Sequence, residues 1–96
     1  MNTREAIEKR LLAIRPPIRE DGGDFEILEI TDDGVVTLKI KGTKRNKPRT
    51  RETQRRLLDY VLRKDPDIVG YQKIVKVDWI TSEKLTLMEK IINYFQ

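Results

Sequence analysis

Val36, Leu38 and Ile40 recur at every second position directly after Asp32-Asp33-Gly34, and the apolar segment Phe25 to Ile30 precedes that turn signal. A two-residue period marks a strand with one apolar face, and an Asp-Gly turn between two such segments marks an antiparallel hairpin. Phe25-Glu26-Ile27-Leu28-Glu29-Ile30 carries apolar residues at both parities, which suits a strand with some apolar character on each face. This hairpin constrains the fold more than any other feature of the chain.

Helical periods flank it. Asn2 or Thr3 can cap a helix in which Ile7, Leu11 and Ile14 share a face, and Glu5 stands three residues after Asn2 as in a capping box. Pro16-Pro17 predicts that this helix ends near Arg15, because proline lacks the N–H and crowds the preceding turn. Asp21-Gly22-Gly23-Asp24 reads as a helix-to-strand turn whose Asp side chains satisfy local N–H groups. Asp32-Asp33-Gly34 reads as a turn in the same way, in preference to a metal site.

A second helix is predicted from Pro48 or Thr50 to Lys64, with Thr50 as a cap and Leu57, Leu58, Val61 and Leu62 as its buried stripe; Asp65-Pro66 stops it. Ile74 to Trp79 alternates as a third strand, with Val75, Val77 and Trp79 on one face. Ser82 can cap a last helix in which Leu85, Met88, Ile92 and Phe95 share a face, and covering the open face of the sheet is its simplest use. The expected order is α-β-β-α-β-α. This is an α+β domain with a three-stranded mixed sheet packed by two helices, in which residues 1–80 form the core unit and residues 81–96 an amphipathic helix packed on it.

The 96 residues suffice for one domain, and 38% of them are charged. The chain has no cysteine and no histidine, which removes disulfides, thiolate nucleophiles, imidazole catalysis and the two commonest transition-metal ligands. Ser82 is the only serine, no group can activate it, and there is no Gly-rich phosphate loop, so a non-enzyme is expected. No segment approaches the roughly 20 apolar residues of a membrane span, and the first residues lack the apolar core of a signal peptide. The expectation is a soluble cytoplasmic protein, or one of an organelle stroma or matrix if the chain is cut from a longer precursor.

Charge is unevenly placed. Residues 41–56 hold eight Lys or Arg against the single acid Glu52, although the whole chain carries only +4. Lys44, Arg45, Lys47, Arg49 and Arg51 surround a predicted helix start, and Arg55 and Arg56 follow one turn later. A helix start favours acids, so this many cations conflict with the dipole unless an anion meets them. These seven residues are the candidate site for an acidic protein surface or, in the alternative, for nucleic acid or another anion. Trp79, Tyr60 and Tyr71 lie outside the basic run, which favours core or rim packing over base stacking for them.

Ile14-Arg15-Pro16, followed by Asp21-Gly22-Gly23-Asp24 and a Val/Ile-rich hairpin ending in Gly42, resembles the NifU C-terminal (Nfu-type) domain family of iron–sulfur cluster assembly. The resemblance spans roughly residues 5 to 78, resuming at Pro48 and including Leu57-Leu58, Pro66 and Ile68. The family carries Gly-x-Cys-x-x-Cys-Pro where this chain reads Gly42-Thr43-Lys44-Arg45-Asn46-Lys47-Pro48, so Lys44 and Lys47 stand at the two cysteine positions. Clusters are held by thiolate and occasionally imidazole, and an ammonium offers no lone pair.

The resemblance therefore implies the fold and a link to iron–sulfur assembly, with the cluster expected of the family but its ligands missing here. The leading expectation is a non-catalytic accessory module without a cofactor or metal of its own. It would engage a protein partner, either assembly machinery or a target protein, and no membrane. The alternatives are the nucleic-acid or anion-binding module and an engineered cysteine-free scaffold.

Overall fold

A computed structural model describes residues 2–43 and 46–79. The elements run α1 (Thr3–Glu20), β1 (Asp24–Ile30), β2 (Val35–Lys41), α2 (Pro48–Lys64) and β3 (Lys73–Asp78). The sheet order is β1-β2-β3, antiparallel between β1 and β2 and parallel between β2 and β3, with α2 as the crossover. The α+β class, the mixed sheet and its two helices agree with the sequence reading. The helix expected over residues 81–96 lies outside the described residues.

Two strands alone are marginal in water, so the hairpin must bury its apolar face. Val36, Leu38 and Ile40 point from the central strand into a core closed by Ile7, Leu11 and Ile18 of α1, Leu58 and Leu62 of α2, and Phe25 and Ile74. Both helices thus cover one side of the sheet. The mixed parity of β1 is resolved by a bulge: Ile27 pairs with Leu38 but Glu29 pairs with Thr37, so Leu28 is extra. That insertion lets Ile27 and Ile30, three apart in sequence, both pack on the core, and it leaves Leu28 exposed.

α1 does not stop at Arg15. It continues through Pro16 and Pro17 to Glu20. The prolines forfeit bonds to the carbonyls of Leu12 and Ala13, which belong to exposed residues that water can reach. The extra turn places Ile18 in the core, and it ends in a closed cap. Gly22 takes a left-handed φ of 87°, its N–H donates to the Arg19 carbonyl at 3.0 Å, and that of Gly23 donates to the Ile18 carbonyl at 3.1 Å. Asp24 Oδ1 then accepts from the Phe25 N–H at 2.8 Å and from Arg19 Nε at 3.2 Å. Asp21-Gly22-Gly23-Asp24 is therefore a turn, as expected. The helix start also follows expectation, with Asn2 as N-cap accepting from the Glu5 N–H at 2.9 Å.

One difference, in α2, and one agreement, in β3, concern faces. The buried stripe of α2 is Gln54, Leu58 and Leu62, one residue wide at four-residue spacing, while Leu57 is exposed and Val61 half-buried. In β3 the residue facing the helices is Ile74, and Val75 and Val77 are each 41% exposed on the other side. The segment joining α2 to β3 is tied back to α2: the Tyr71 hydroxyl donates to Asp59, and Arg63 Nη2 donates to Asp59 Oδ1 and to the Gln72 carbonyl, both at 2.9 Å. Burial, and next the bond to Asp59, pushes the Tyr71 phenol up, while the Arg63 hydrogen bond holds the Asp59 carboxyl below its usual range.

Candidate functional site

The start of α2 is positioned by close backbone packing. Gly42 ends β2 against it: a Cβ there would lie 2.1 Å from Thr50 Oγ1 and 2.7 Å from the Arg51 nitrogen. Asn46 then pins the loop from a left-handed φ of 48°, which Asn tolerates better than most residues. Its Oδ1 accepts from the Gly42 N–H at 2.8 Å, its Nδ2 donates to the Trp79 carbonyl at 3.4 Å, and its own carbonyl accepts from the Arg51 guanidinium.

The N-cap is Lys47, with no side-chain cap bond, and Pro48 occupies the first helical turn. Thr50 is not the cap. Its hydroxyl donates backward to the Lys47 carbonyl at 2.9 Å, and the first-turn N–H groups therefore lack a side-chain acceptor. No acid stands in that turn.

Seven cations were expected to act together, and the structure sorts them. Lys44 and Arg45 lie outside the described residues. Lys47 and Arg49 are exposed, with no ion pair among the described residues. Arg51 is turned inward, its side chain 13% exposed, with Nε 3.0 Å from Asp78 Oδ1 but without the alignment of a hydrogen bond. Arg55 grips Glu52 with its Nη2 at 2.7 Å and its Nε at 3.0 and 3.1 Å from the two oxygens. Arg56 reaches the same carboxylate at 3.5 Å and stays largely exposed. Lys76 of β3 closes the network, 3.7 Å from Glu52 and 3.6 Å from Asp78.

Two carboxylates thus hold four cations in place, and Lys47 and Arg49 are exposed outside that network, with no ion pair among the described residues. The sequence reading missed Lys76 and Asp78; the signal available was that both share the Ile74 face of β3, which folds back toward α2.

Glu52 is the anionic node. Hydrogen bonds from Arg55, and then the charges of Arg55, Lys76 and Arg56, hold its carboxyl down to about 2 from 4.5, against desolvation. A folded-state value below the unfolded one stabilises the protein above pH 4.5, and that contribution is lost as pH falls from 4.5 through about 2. In Arg55→Gln the Glu52 carboxyl should titrate closer to 4.5, read from the pH dependence of its carbon NMR shift. An unchanged midpoint would show that Arg55 is not the principal cause.

The residues present do not fit an iron–sulfur cluster. Lys47, where the sequence resemblance implies a family cysteine, is an exposed cation at a helix start, and the chain contains no thiol and no imidazole. Among the described residues no three His, Cys, Asp or Glu side chains gather as metal ligands. No helix among the described residues is long and apolar enough to cross a membrane.

The geometry agrees with what family comparison finds. The family model described as NifU-like domain matches residues 4–69, more than half of the chain. No curated protein and no solved structure matches it. The matched span runs from the first turn of α1 through α2 to Val69, and so includes the cysteine-free loop and the cation-rich helix start. The chain belongs to the NifU-like domain family.

Proposed function

We propose that this chain is a non-catalytic NifU-like domain that serves iron–sulfur assembly as an interaction module, contacting an acidic protein surface through the start of α2. Family membership supports the assembly-related role, and the donor set leaves no cluster ligand in the chain. The observation that carries the interaction reading is the unneutralised helix start: Lys47 and Arg49 exposed, no acid in the first turn and no side-chain cap. Helix N–H groups and exposed cations are together the chemistry that a carboxylate complements. The inner network keeps Arg51 and Arg55 engaged with the protein's own acids, so among the described residues the contacting cations are Lys47, Arg49 and the largely exposed Arg56, which touches Glu52 only at its edge.

Titration with an acidic model peptide at low ionic strength should shift amide resonances of residues 47–50 and 56. Lys47→Glu, Arg49→Glu and Arg56→Glu together should weaken binding about tenfold or more, because like charges then face each other. Undiminished binding by the reversed variant would refute the surface assigned here.

One observation favours nucleic acid as a second reading. The basic loop is not isolated from aromatic side chains in space, since Asn46 Nδ2 bonds the backbone of Trp79, whose ring lies 5.8 Å from Lys39 Nζ. A ring beside cations is what single strands stack on. Single-stranded DNA tested in parallel would quench Trp79 fluorescence under this reading, and its affinity would fall with log salt at about 0.7 per phosphate neutralised.

A further inference from the structure

α2 divides its charges between two sides. Its two acids, Glu52 and Asp59, are half-buried toward β3 and the loop before it, where Lys76 reaches the first and the Tyr71 hydroxyl donates to the second. Beyond the first turn its exposed residues are Thr53, Arg56, Leu57, Tyr60, Arg63 and Lys64, three cations and no acid. A helix face that meets only water gains from acids set three or four residues from bases. This face has one sign, and Leu57 and Tyr60 stand within it at 45% and 61% exposed. Apolar and aromatic side chains among Arg and Lys make a surface that an acidic partner complements.

Beside Tyr60 the surface is concave. Tyr60, Val61, Lys64 and Pro66 line a cleft of about 400 Å³ to which α1 contributes Arg10. A second hollow of about 430 Å³ shares Arg10, Asp65 and Asp67 with it and runs along Ala6, Lys9 and Ala13. Each lies within the size range of small-ligand sites, roughly 300–1,000 Å³, and has room for a large side chain. Arg10 Nε stands 3.7 Å from Asp65 Oδ2, and Asp65 Oδ1 accepts from the Asp67 N–H at 2.8 Å, so this wall is tied together. Lys64 Nζ lies 6.0 Å from the centre of the Tyr60 ring and keeps a cation beside it. Asp67, which is exposed, also lines the cleft. Its carboxylate opposes a continuous phosphate backbone, whereas a peptide can set its own carboxylates against the cations alone.

We propose that the cleft beside Tyr60 takes a large apolar side chain of an acidic protein segment, whose carboxylates lie along the exposed cations of α2. This site rests on the acidic-partner reading of the helix start and adds to it an anchor at the opposite end of the helix. Two peptides of equal negative charge serve as probes, one with tryptophan at its centre and one with alanine there. The tryptophan peptide should bind the full chain about tenfold or more tighter, and it should shift the amide resonances of Tyr60, Val61 and Lys64 as well as those of residues 47–50. Tyr60→Ala, with its circular dichroism unchanged, should abolish that preference. Equal affinities, with shifts confined to residues 47–50 and 56, would overturn the cleft and leave the acidic-surface reading standing. A tryptophan preference that survives Tyr60→Ala would also overturn it, and failure of both peptides to bind would overturn both. Single-stranded DNA that moved the Tyr60 and Lys64 resonances and bound tighter than the tryptophan peptide would assign the face to nucleic acid instead.

Discussion

Gly34→Ala is expected to cost about 3 kcal/mol or more, lowering the thermal midpoint by about 10 °C or more for a domain of this size. Two penalties coincide there. Gly34 has a φ of 94°, a conformation that an L side chain rarely adopts, and a Cβ would lie 1.9 Å from the Gly70 carbonyl oxygen and 2.8 Å from its carbon. Those atoms are backbone, and the loop carrying them is held by the Gln72 N–H donating to the Gly34 carbonyl at 2.9 Å, so it cannot retreat cheaply.

Gly70→Ala provides the control. Its φ of 87° is comparable, but the nearest atom to a Cβ is Thr3 Oγ1 at 3.7 Å, so only the left-handed cost of about 1–2 kcal/mol applies. Thermal denaturation of the two variants separates close approach from backbone conformation. Equal losses would show that the contact between the hairpin turn and the 70–72 loop contributes little.

Leu58→Ala should cost about 2–5 kcal/mol, and Leu57→Ala less than about 1. The residues are adjacent and chemically identical, so the difference measures position alone. Leu58 is 0% exposed among Leu11, Leu38, Leu62 and the other core side chains, and truncating it leaves a cavity that this small core can close only in part. Leu57 is 45% exposed on the outer side of α2. Since small domains are stable by roughly 5–15 kcal/mol, the first change removes a large share of the total. Urea denaturation gives both values, and near-equal losses would place Leu57 in the core after all.

That pair shows where sequence reading reached its limit. The 3.6-residue period placed Leu57, Leu58, Val61 and Leu62 on one apolar arc, and the part of it around Leu58 and Leu62 does face the core, while Leu57 lies at its exposed margin. Its width is set by what it packs on. α1 and α2 share one side of three strands, so each buries a narrow stripe, and the i, i+4 series Gln54, Leu58, Leu62 wins over Leu57.

Proline misled in a similar way. Pro16 and Pro17 forbid two helical hydrogen bonds, but the cap at Gly22 and the burial of Ile18 outweigh that loss, and neither term is visible as a local rule. In β1 the mixed parity was legible, whereas the bulge that resolves it depends on the register with β2. In the basic segment the charge was plain from composition, but its division was not. Arg51 and Arg55 are engaged by Asp78 and Glu52, whereas Lys47, Arg49 and, among the described cations of the segment, much of Arg56 are exposed.

By itself the sequence determined the order of the described elements, the hairpin, the α+β class and the absence of any thiolate ligand. Each of these follows from local period, turn chemistry or the mere presence of a residue type. Only the tertiary structure decided which apolar face is buried, how far α1 runs and which of the described cations are held by carboxylates. Those outcomes depend on partners distant in the chain: Ile18 in one core with Leu38 and Leu58, Asp78 against Arg51, Gly70 against Gly34. Packing and charge pairing are properties of what folding brings together, and no window along the chain contains both halves of such a contact.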